Sequence, residues 1–364
     1  GLFLQLRMQP QRQRDADGVQ DRDNGLEGRI GVQEVRCVGQ QHAEEHGDDD
    51  SPRRSNPIAQ TIRPKLSHKG KASAEASRPA SSPGLTTLAG MHLQFFEVDV
   101  FATSAFSGNP LAVVAHADGL SRQQMQAIAH WTNFSETTFL LQPTDPAADY
   151  RVRIFTPHEE FDFAGHPTLG SAAVWRALGN EPQKEGTIVQ ECGVGLVSVR
   201  ESKGIYSFAT PPLRASGPLS SAELAEACAG LNIAEEDVID SAWVDNGPGW
   251  RLIQLRDAAA VRAVQPAATR PKVGVVGMLD TTAGRDSAAY EVRAFTAEFE
   301  DPVTGSFNGG AAQFMRSRGL VPARYTACQG SQLGRDGEVF IHDDGADIWV
   351  GGCVHIRVQG QLEV

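Results

Sequence analysis

Tyr150-Arg-Val-Arg-Ile-Phe-Thr156 returns as Tyr290-Glu-Val-Arg-Ala-Phe-Thr296, and this pair of heptads decides the fold. In the same register Glu160 matches Glu300, Gly165 matches Gly305 and Gly170 matches Gly310. The repeat therefore runs from a strand, through a loop, into glycines that open a helix. Two copies about 140 residues apart are too few and too widely spaced for a solenoid, whose units run about 20 to 50 residues. Two related halves are expected instead. Facing each other, they would bring two helix N-termini to one cleft, where free backbone N–H groups and the positive dipole end attract carboxylates. The loops differ where the scaffold does not: Ala164-Gly165-His166-Pro167 in one copy, Thr304-Gly305-Ser306-Phe307 in the other.

Working outward, the first 90 residues and the remaining 274 are different kinds of polymer. Residues 1–90 contain one aromatic, Phe3, and 13 Lys/Arg against 12 Asp/Glu in a Gln, Ser, Pro and Gly background. Such a stretch buries too little apolar surface to offset its ordering entropy, so disorder is expected there. It has no apolar signal-peptide core, and the acidic run Glu44–Asp50 is wrong for a transit peptide. Met91, just ahead of a strand-like run, is read as the natural start, with 1–90 a non-native extension. From residue 91 onward 20 basic residues face 33 acidic ones, which opposes a nucleic-acid or anionic-membrane surface. No apolar run approaches the roughly 20 residues that span a bilayer. The five cysteines show no paired spacing, so a reducing cytoplasm is the expected compartment and a small molecule the expected partner.

Leu93 to Phe101 reads as a strand, Phe106-Ser-Gly-Asn-Pro110 as a loop, and Leu111 to Ala115 as an apolar strand. Ser121 caps a helix striped by Met125, Ile128, Ala129 and Thr132, after which the period switches to strand around Glu136. A helix from about Pro167 to Leu178 is apolar nearly all round, so it should be buried with sheet wrapped around it. Strands are expected near 187–190, 195–200 and 205–209, and Thr210-Pro-Pro212 makes an interdomain link. The second half carries a helix opened by the capping box Ser220-x-x-Glu223. Strands near 251–255 and 273–276, a helix from about Gly309 to Arg318 and a hairpin through Asp343-Asp344-Gly345 complete it. The expected domains are 91–209 and 210–364, with C-terminal strands free to cross back to the first.

Glu136 is the main candidate for chemistry. Among Phe134, Phe139 and neighbouring strands a carboxylate loses solvation, which raises its pKa toward the range where it can both give and take a proton. Ser135 and the hydroxyls of Thr137 and Thr138 could orient it. His166, between Gly165 and Pro167, suits a first helical position with its ring toward the cleft. His158 and His166 lack the spacing of a helical zinc pair and no Cys lies nearby, so no metal is expected. The Gly165–Ser171 turn lacks the Lys of a phosphate loop, which argues against a nucleotide. Asp301 could be a second carboxylate or the partner of a substrate amine, and Ser306 could donate to a substrate carboxylate.

Taken in order, Phe106-Ser-Gly-Asn-Pro110, Asn133-Phe-Ser-Glu-Thr-Thr-Phe139, Arg153-Ile-Phe-Thr-Pro157, Asp162-Phe-Ala-Gly-His-Pro167 and Glu300-Asp-Pro-Val-Thr-Gly-Ser306 resemble the phenazine-biosynthesis PhzF-like isomerases. That family is grouped with diaminopimelate epimerase and proline racemase. The resemblance covers about 91–364 and implies an α+β fold of two pseudo-repeated domains, each a barrel-like sheet around a central helix. It further implies an active site between the domains, a homodimer and no cofactor. Carried over by motif, Glu136 is the general acid/base, His166 and Asp301 assist or orient, and Ser135, Gly165, Gly305 and Ser306 bind substrate. The thiol-dependent relatives place a cysteine before each helix-opening glycine, where this chain has Ala164 and Thr304, so two-thiol racemisation is excluded. Phe307-Asn308-Gly309 in place of small residues is expected to reshape the pocket. The expected activity is cofactor-independent proton transfer at an acidic C–H of a small carboxylated metabolite, an amino group being admissible. The competing readings are a non-catalytic binding or scaffold protein with the same fold, and a lyase sharing the first proton abstraction.

Overall fold

The computed structural model describes residues 90–268, 270–280 and 288–364. The expectation of disorder over 1–90 lies outside the described residues, Gly90 apart. Eight strands close a ring around the first repeat. The first seven in chain order are β1 (His92–Val100), β2 (Asn109–Ala115), β3 (Thr137–Leu141), β4 (Tyr150–Phe155), then β6 (Thr187–Cys192), β7 (Gly195–Ser202) and β8 (Ile205–Ala209), with the short β5 (Glu160–Phe161) outside the ring on the edge of β4. The ring runs β1-β2-β3-β4-β6-β7-β8 and is closed by the C-terminal strand β17 (Ile348–Glu363), which pairs with both β8 and β1. Helix α1 (Arg122–Thr132) lies outside, and helix α2 (Gly165–Ala177) fills the interior with every residue from Gly165 to Trp175 buried. An all-round apolar helix can be covered only by sheet on every side. Its few polar groups are satisfied inside: Ser171 Oγ donates to Thr138 Oγ1 at 2.9 Å, and Gln190 Nε2 donates to Thr168 Oγ1 at 3.0 Å.

The second half repeats this order with β9 (Ala215–Gly217), α3 (Ser221–Leu231), β10 (Val238–Asp245), β11 (Arg251–Leu255), α4 (Ala258–Ala263), β12 (Val273–Met278), β13 (Ala288–Phe295), β14 (Glu300–Asp301), α5 (Gly305–Ser317), β15 (Arg324–Gln329) and β16 (Gly337–Asp343). The parallel pairings β2–β3 and β4–β6 recur as β11–β12 and β13–β15, and Thr137 opposite Phe155 recurs as Val273 opposite Phe295. Strand β17 starts beside β16 in this half and ends beside β1 in the other, so its 16 residues stitch the two together.

The repeated residues have structural reasons. Thr156 and Thr296 each accept two backbone N–H groups on Oγ1 and close the same turn, onto Glu159 O at 2.8 Å and Phe299 O at 2.9 Å. Arg153 forks onto Glu160 at 2.6 and 2.8 Å, and Arg293 onto Glu300 at 2.8 and 2.7 Å. These two-point ion pairs fix the loop that leads into each central helix. Gly170 and Gly310 let those helices touch their sheets: a Cβ would come within 2.6 Å of Leu111 Cδ2 in one and 2.5 Å of Val244 O in the other.

The barrel-and-helix α+β architecture is as expected, and several boundaries move. Both central helices start earlier than periodicity placed them, at Gly165 and Gly305, because tertiary packing overrides the low helix propensity of Gly. Pro167 thus sits at the third helical position and His166 at the second. Asn109 and Pro110, expected in a loop, open β2. Strands β10 and β15, helix α4 and the long extension of β17 were not anticipated.

Candidate active site

Glu136 sits where α1 hands over to β3. The capping box of Ser121 and Gln124 starts α1, and Asn133 ends it in the left-handed conformation at φ 56°. Phe134, Ser135 and Glu136 bridge to Thr137, whose hydroxyl lies 2.8 Å from that of Thr132. This short, pinned crossing leaves the Glu136 side chain 14% exposed, its Oε2 3.5 Å from Nε2 of His166. His166, in the first turn of α2, is itself only 4% exposed. Neither Glu136 Oε2 nor His166 Nε2 has a hydrogen-bond partner among the described residues, and neither has Ser135 Oγ. Buried polar atoms without partners are costly, and they concentrate where a ligand completes them.

The electrostatics follow from burial. Desolvation, with the Asp301 charge nearby, pushes the Glu136 carboxyl up to about 8, while Ser135 pulls weakly the other way. Desolvation pushes the His166 imidazole down to about 3, so the ring is neutral and the 3.5 Å approach is not an ion pair. Asp301 is raised to about 6 by burial, opposed by hydrogen bonds from Thr304 and Asn109.

Asp301 arrives from β14 of the other half. Its Oδ2 accepts from Thr304 Oγ1 at 2.6 Å and its Oδ1 from Asn109 Nδ2 at 2.9 Å. Asn109, fully buried at the start of β2, also donates to Val303 O at 3.0 Å and lies 3.4 Å from His166 Nδ1. One amide thus links the acidic loop of the second half to the histidine of the first. Gln329 braces the same loop, accepting from Thr304 N at 2.9 Å and donating to Asp301 O at 3.0 Å.

The two helix starts meet. A Cβ on Gly165 would lie 3.0 Å from the Gly305 Cα and 2.9 Å from Phe208 Cζ, so any side chain here would push these neighbours apart. Two sets of first-turn N–H groups lacking intrahelical partners therefore lie side by side. Ser306, next in α5, accepts from Trp250 Nε1 at 3.0 Å on Oγ and from Asn246 Nδ2 at 2.8 Å on its carbonyl, which leaves its hydroxyl hydrogen to donate elsewhere. Phe307 begins the Phe307-Asn308-Gly309 segment that is expected to reshape the pocket. It is fully buried, edge-on to Trp250, and acts on the site through the tryptophan that holds Ser306.

Glu136, His166, Asp301, Ser135, Gly165, Gly305 and Ser306 thus gather around one pair of helix N-termini. Asn109, Asn246, Trp250 and Gln329 join the site without standing out in the sequence. Asn109 carried a weak signal, an amide immediately ahead of an apolar strand. The other three come from distant segments and carried none. Among the described residues no cluster of His, Cys, Asp or Glu is arranged to hold a metal, and no helix is long and apolar enough to cross a membrane.

Residues 98–359 match the family model described as phenazine biosynthesis-like protein. An uncharacterized isomerase of Pasteurella multocida is 35% identical over 73% of this chain and 93% of its own. The trans-2,3-dihydro-3-hydroxyanthranilate isomerase of Pseudomonas aeruginosa is 31% identical over 70% and 92%. Antisense-enhancing sequence 1 of Schizosaccharomyces pombe is 34% identical over 74% and 95%. Among solved structures, the PhzF-family protein of Enterococcus faecalis superposes with a TM-score of 0.62 at 25% identity, over 75% of this chain and all of that one. That of Bacillus anthracis reaches a TM-score of 0.64 at 20% identity with the same coverage. The chain is a member of the phenazine biosynthesis-like, PhzC-PhzF family of isomerases.

Proposed function

We propose that the chain moves a proton at an acidic carbon of a small carboxylated metabolite, without a cofactor and with Glu136 as the single general acid/base. The observation that carries this is the Glu136 carboxyl itself: buried, unpartnered at Oε2 and held up to about 8 by burial and the nearby Asp301. A carboxyl poised near neutral pH can take a proton from carbon and return it elsewhere on the same molecule, whereas an ordinary solvated glutamate is too weak a base. His166, neutral and 3.5 Å away, is suited to hydrogen-bond the substrate beside the reacting carbon. The paired helix N-termini at Gly165 and Gly305, with the free hydroxyl hydrogen of Ser306, suit a carboxylate. Asp301, with the Ser135 hydroxyl, would anchor a hydroxyl or amino group. Ala164 and Thr304 stand where the thiol enzymes carry cysteine, so a one-base mechanism accounts for the residues present.

A panel of small carboxylated metabolites, incubated with the protein in heavy water and read by mass spectrometry, tests the proposal. Deuterium should enter one or more compounds at a carbon adjacent to an electron-withdrawing group. A panel that includes cyclic dihydro-hydroxy acids, amino acids and unsaturated acids and takes up no label at all would count against catalysis.

A further inference from the structure

We propose that Asn109 is a positioning residue that fixes the His166 imidazole as its Nε2–H tautomer, so that the ring offers the substrate a hydrogen-bond donor beside Glu136. This deepens the one-base reading above and rests on it for its catalytic meaning. The tautomer itself can be read without any substrate.

The orientation of the Asn109 amide is set by its neighbours. Nδ2 lies 3.0 Å from the Val303 carbonyl, which can only accept, and 2.9 Å from Asp301 Oδ1. Reversing the amide would set its oxygen against the Val303 oxygen and the Asp301 carboxyl together, so the NH2 end faces this group. The same Nδ2 lies 3.4 Å from His166 Nδ1. An amide nitrogen has no lone pair to accept with, so a hydrogen on Nδ1 would point at an NH2 group that cannot receive it. Nδ1 therefore keeps its lone pair, and in a neutral imidazole the hydrogen must be on Nε2. That burial holds the ring neutral is consistent with the low pKa of His166.

The consequence falls at the other end of the ring. Nε2–H is aimed into the space shared with Glu136 Oε2, 3.5 Å off, and neither atom has a partner among the described residues. A ring protonated there cannot take a proton from carbon without becoming a buried cation, so proton abstraction falls to Glu136 and His166 is left to polarise. Because Asn109 is held by Asp301 and Val303, the second half sets the tautomer of a residue in the first. The tautomer is fixed only while the two halves are docked.

The test is nitrogen-15 spectroscopy of histidine-labelled protein near neutral pH, with the His166 signals assigned by their loss in His166→Gln. The wild type should show His166 with hydrogen on Nε2 alone. A wild-type ring with hydrogen on Nδ1, or an even mixture, would overturn the proposal. Asn109→Asp places an acceptor beside Nδ1 and should move the hydrogen there, with any deuterium exchange slowed by up to about 10,000-fold, the scale of a wrong histidine tautomer in a catalytic site. If that variant does not fold beside Asp301, the uncharged Asn109→Leu should leave the ring no longer in a single form. A folded variant of either kind with an unchanged His166 spectrum would show that Asn109 does not set the tautomer. An intact tautomer with no turnover anywhere would instead fault the isomerase reading and leave this one standing.

Discussion

Replacing Glu136 by Gln should remove a loss of stability that the wild type suffers as the pH rises, whatever it does to turnover. The carboxyl has its ordinary value of 4.5 when solvated and is pushed up to about 8 in the folded site. Between those values it is ionised in the unfolded chain and neutral in the native one, so the native state binds more protons and loses stability with increasing pH. The contribution is fully present below the unfolded value and is lost as the pH climbs through the folded one. At about 1.4 kcal/mol per unit, the wild type should lose roughly 2 kcal/mol between pH 5 and pH 7 through this group. Gln has the same shape and no ionisation, so the slope should vanish. The assay is urea unfolding of wild type and Glu136→Gln at both pH values, followed by tryptophan fluorescence, with m unchanged between them. The quantity to read is the difference of differences, from which any constant cost of the amide cancels. The two proteins should be close in stability at pH 5 and diverge by roughly 2 kcal/mol in favour of Gln at pH 7. Parallel pH dependence would refute the claim that burial holds this carboxyl neutral, and with it the physical basis for its basicity.

Other outcomes follow from the same geometry. Because the base form of Glu136 grows with pH, kcat/KM should rise toward pH 8, with the limb set by His166 absent from the neutral range. His166→Ala should weaken both binding and rate, and combined with Glu136→Gln the two defects should fall short of their sum, since the side chains share one space; full additivity would separate their roles. Gly165→Ala should cost about 1 to 3 kcal/mol of stability and open the cleft, because the added Cβ would meet Gly305 and Phe208, whose atoms have little room to move; denaturation midpoints and ligand binding read both effects. Alkylating Cys192, Cys228 or Cys328 should leave turnover intact, since no thiol stands at 164 or 304; stoichiometric inactivation prevented by substrate would restore a thiol mechanism.

The repeat was legible because its residues answer to local rules. The closing Thr of each heptad makes a turn, its Arg forks onto a Glu seven positions on, and the following glycines allow close packing. The apolar surround of α2 announced a helix inside sheet. The starts of α2 and α5 were misplaced because Gly-His-Pro and Gly-Ser-Phe-Asn-Gly-Gly are poor helix formers, held helical by what covers them. The far end of β17 carries no readable strand pattern because the apolar Ile356 and Val358 face solvent while the polar His355 and Arg357 are the more covered positions, and its partner β1 lies at the other end of the described chain. In the site, Glu136 and His166 stood out by chemistry and context. Asn109 did not, because its importance comes from meeting Asp301 across 192 positions of chain, which no local pattern encodes.

The central claim is that one carboxyl carries the proton, and exchange of substrate hydrogen with heavy water tests it most directly. With any compound that the wild type labels, Glu136→Gln should bind with nearly unchanged affinity while its rate of deuterium incorporation falls by about 100-fold to 10,000-fold, the usual range for loss of a general acid/base. Incorporation by Glu136→Gln at the wild-type rate would contradict the account and move the base to Asp301.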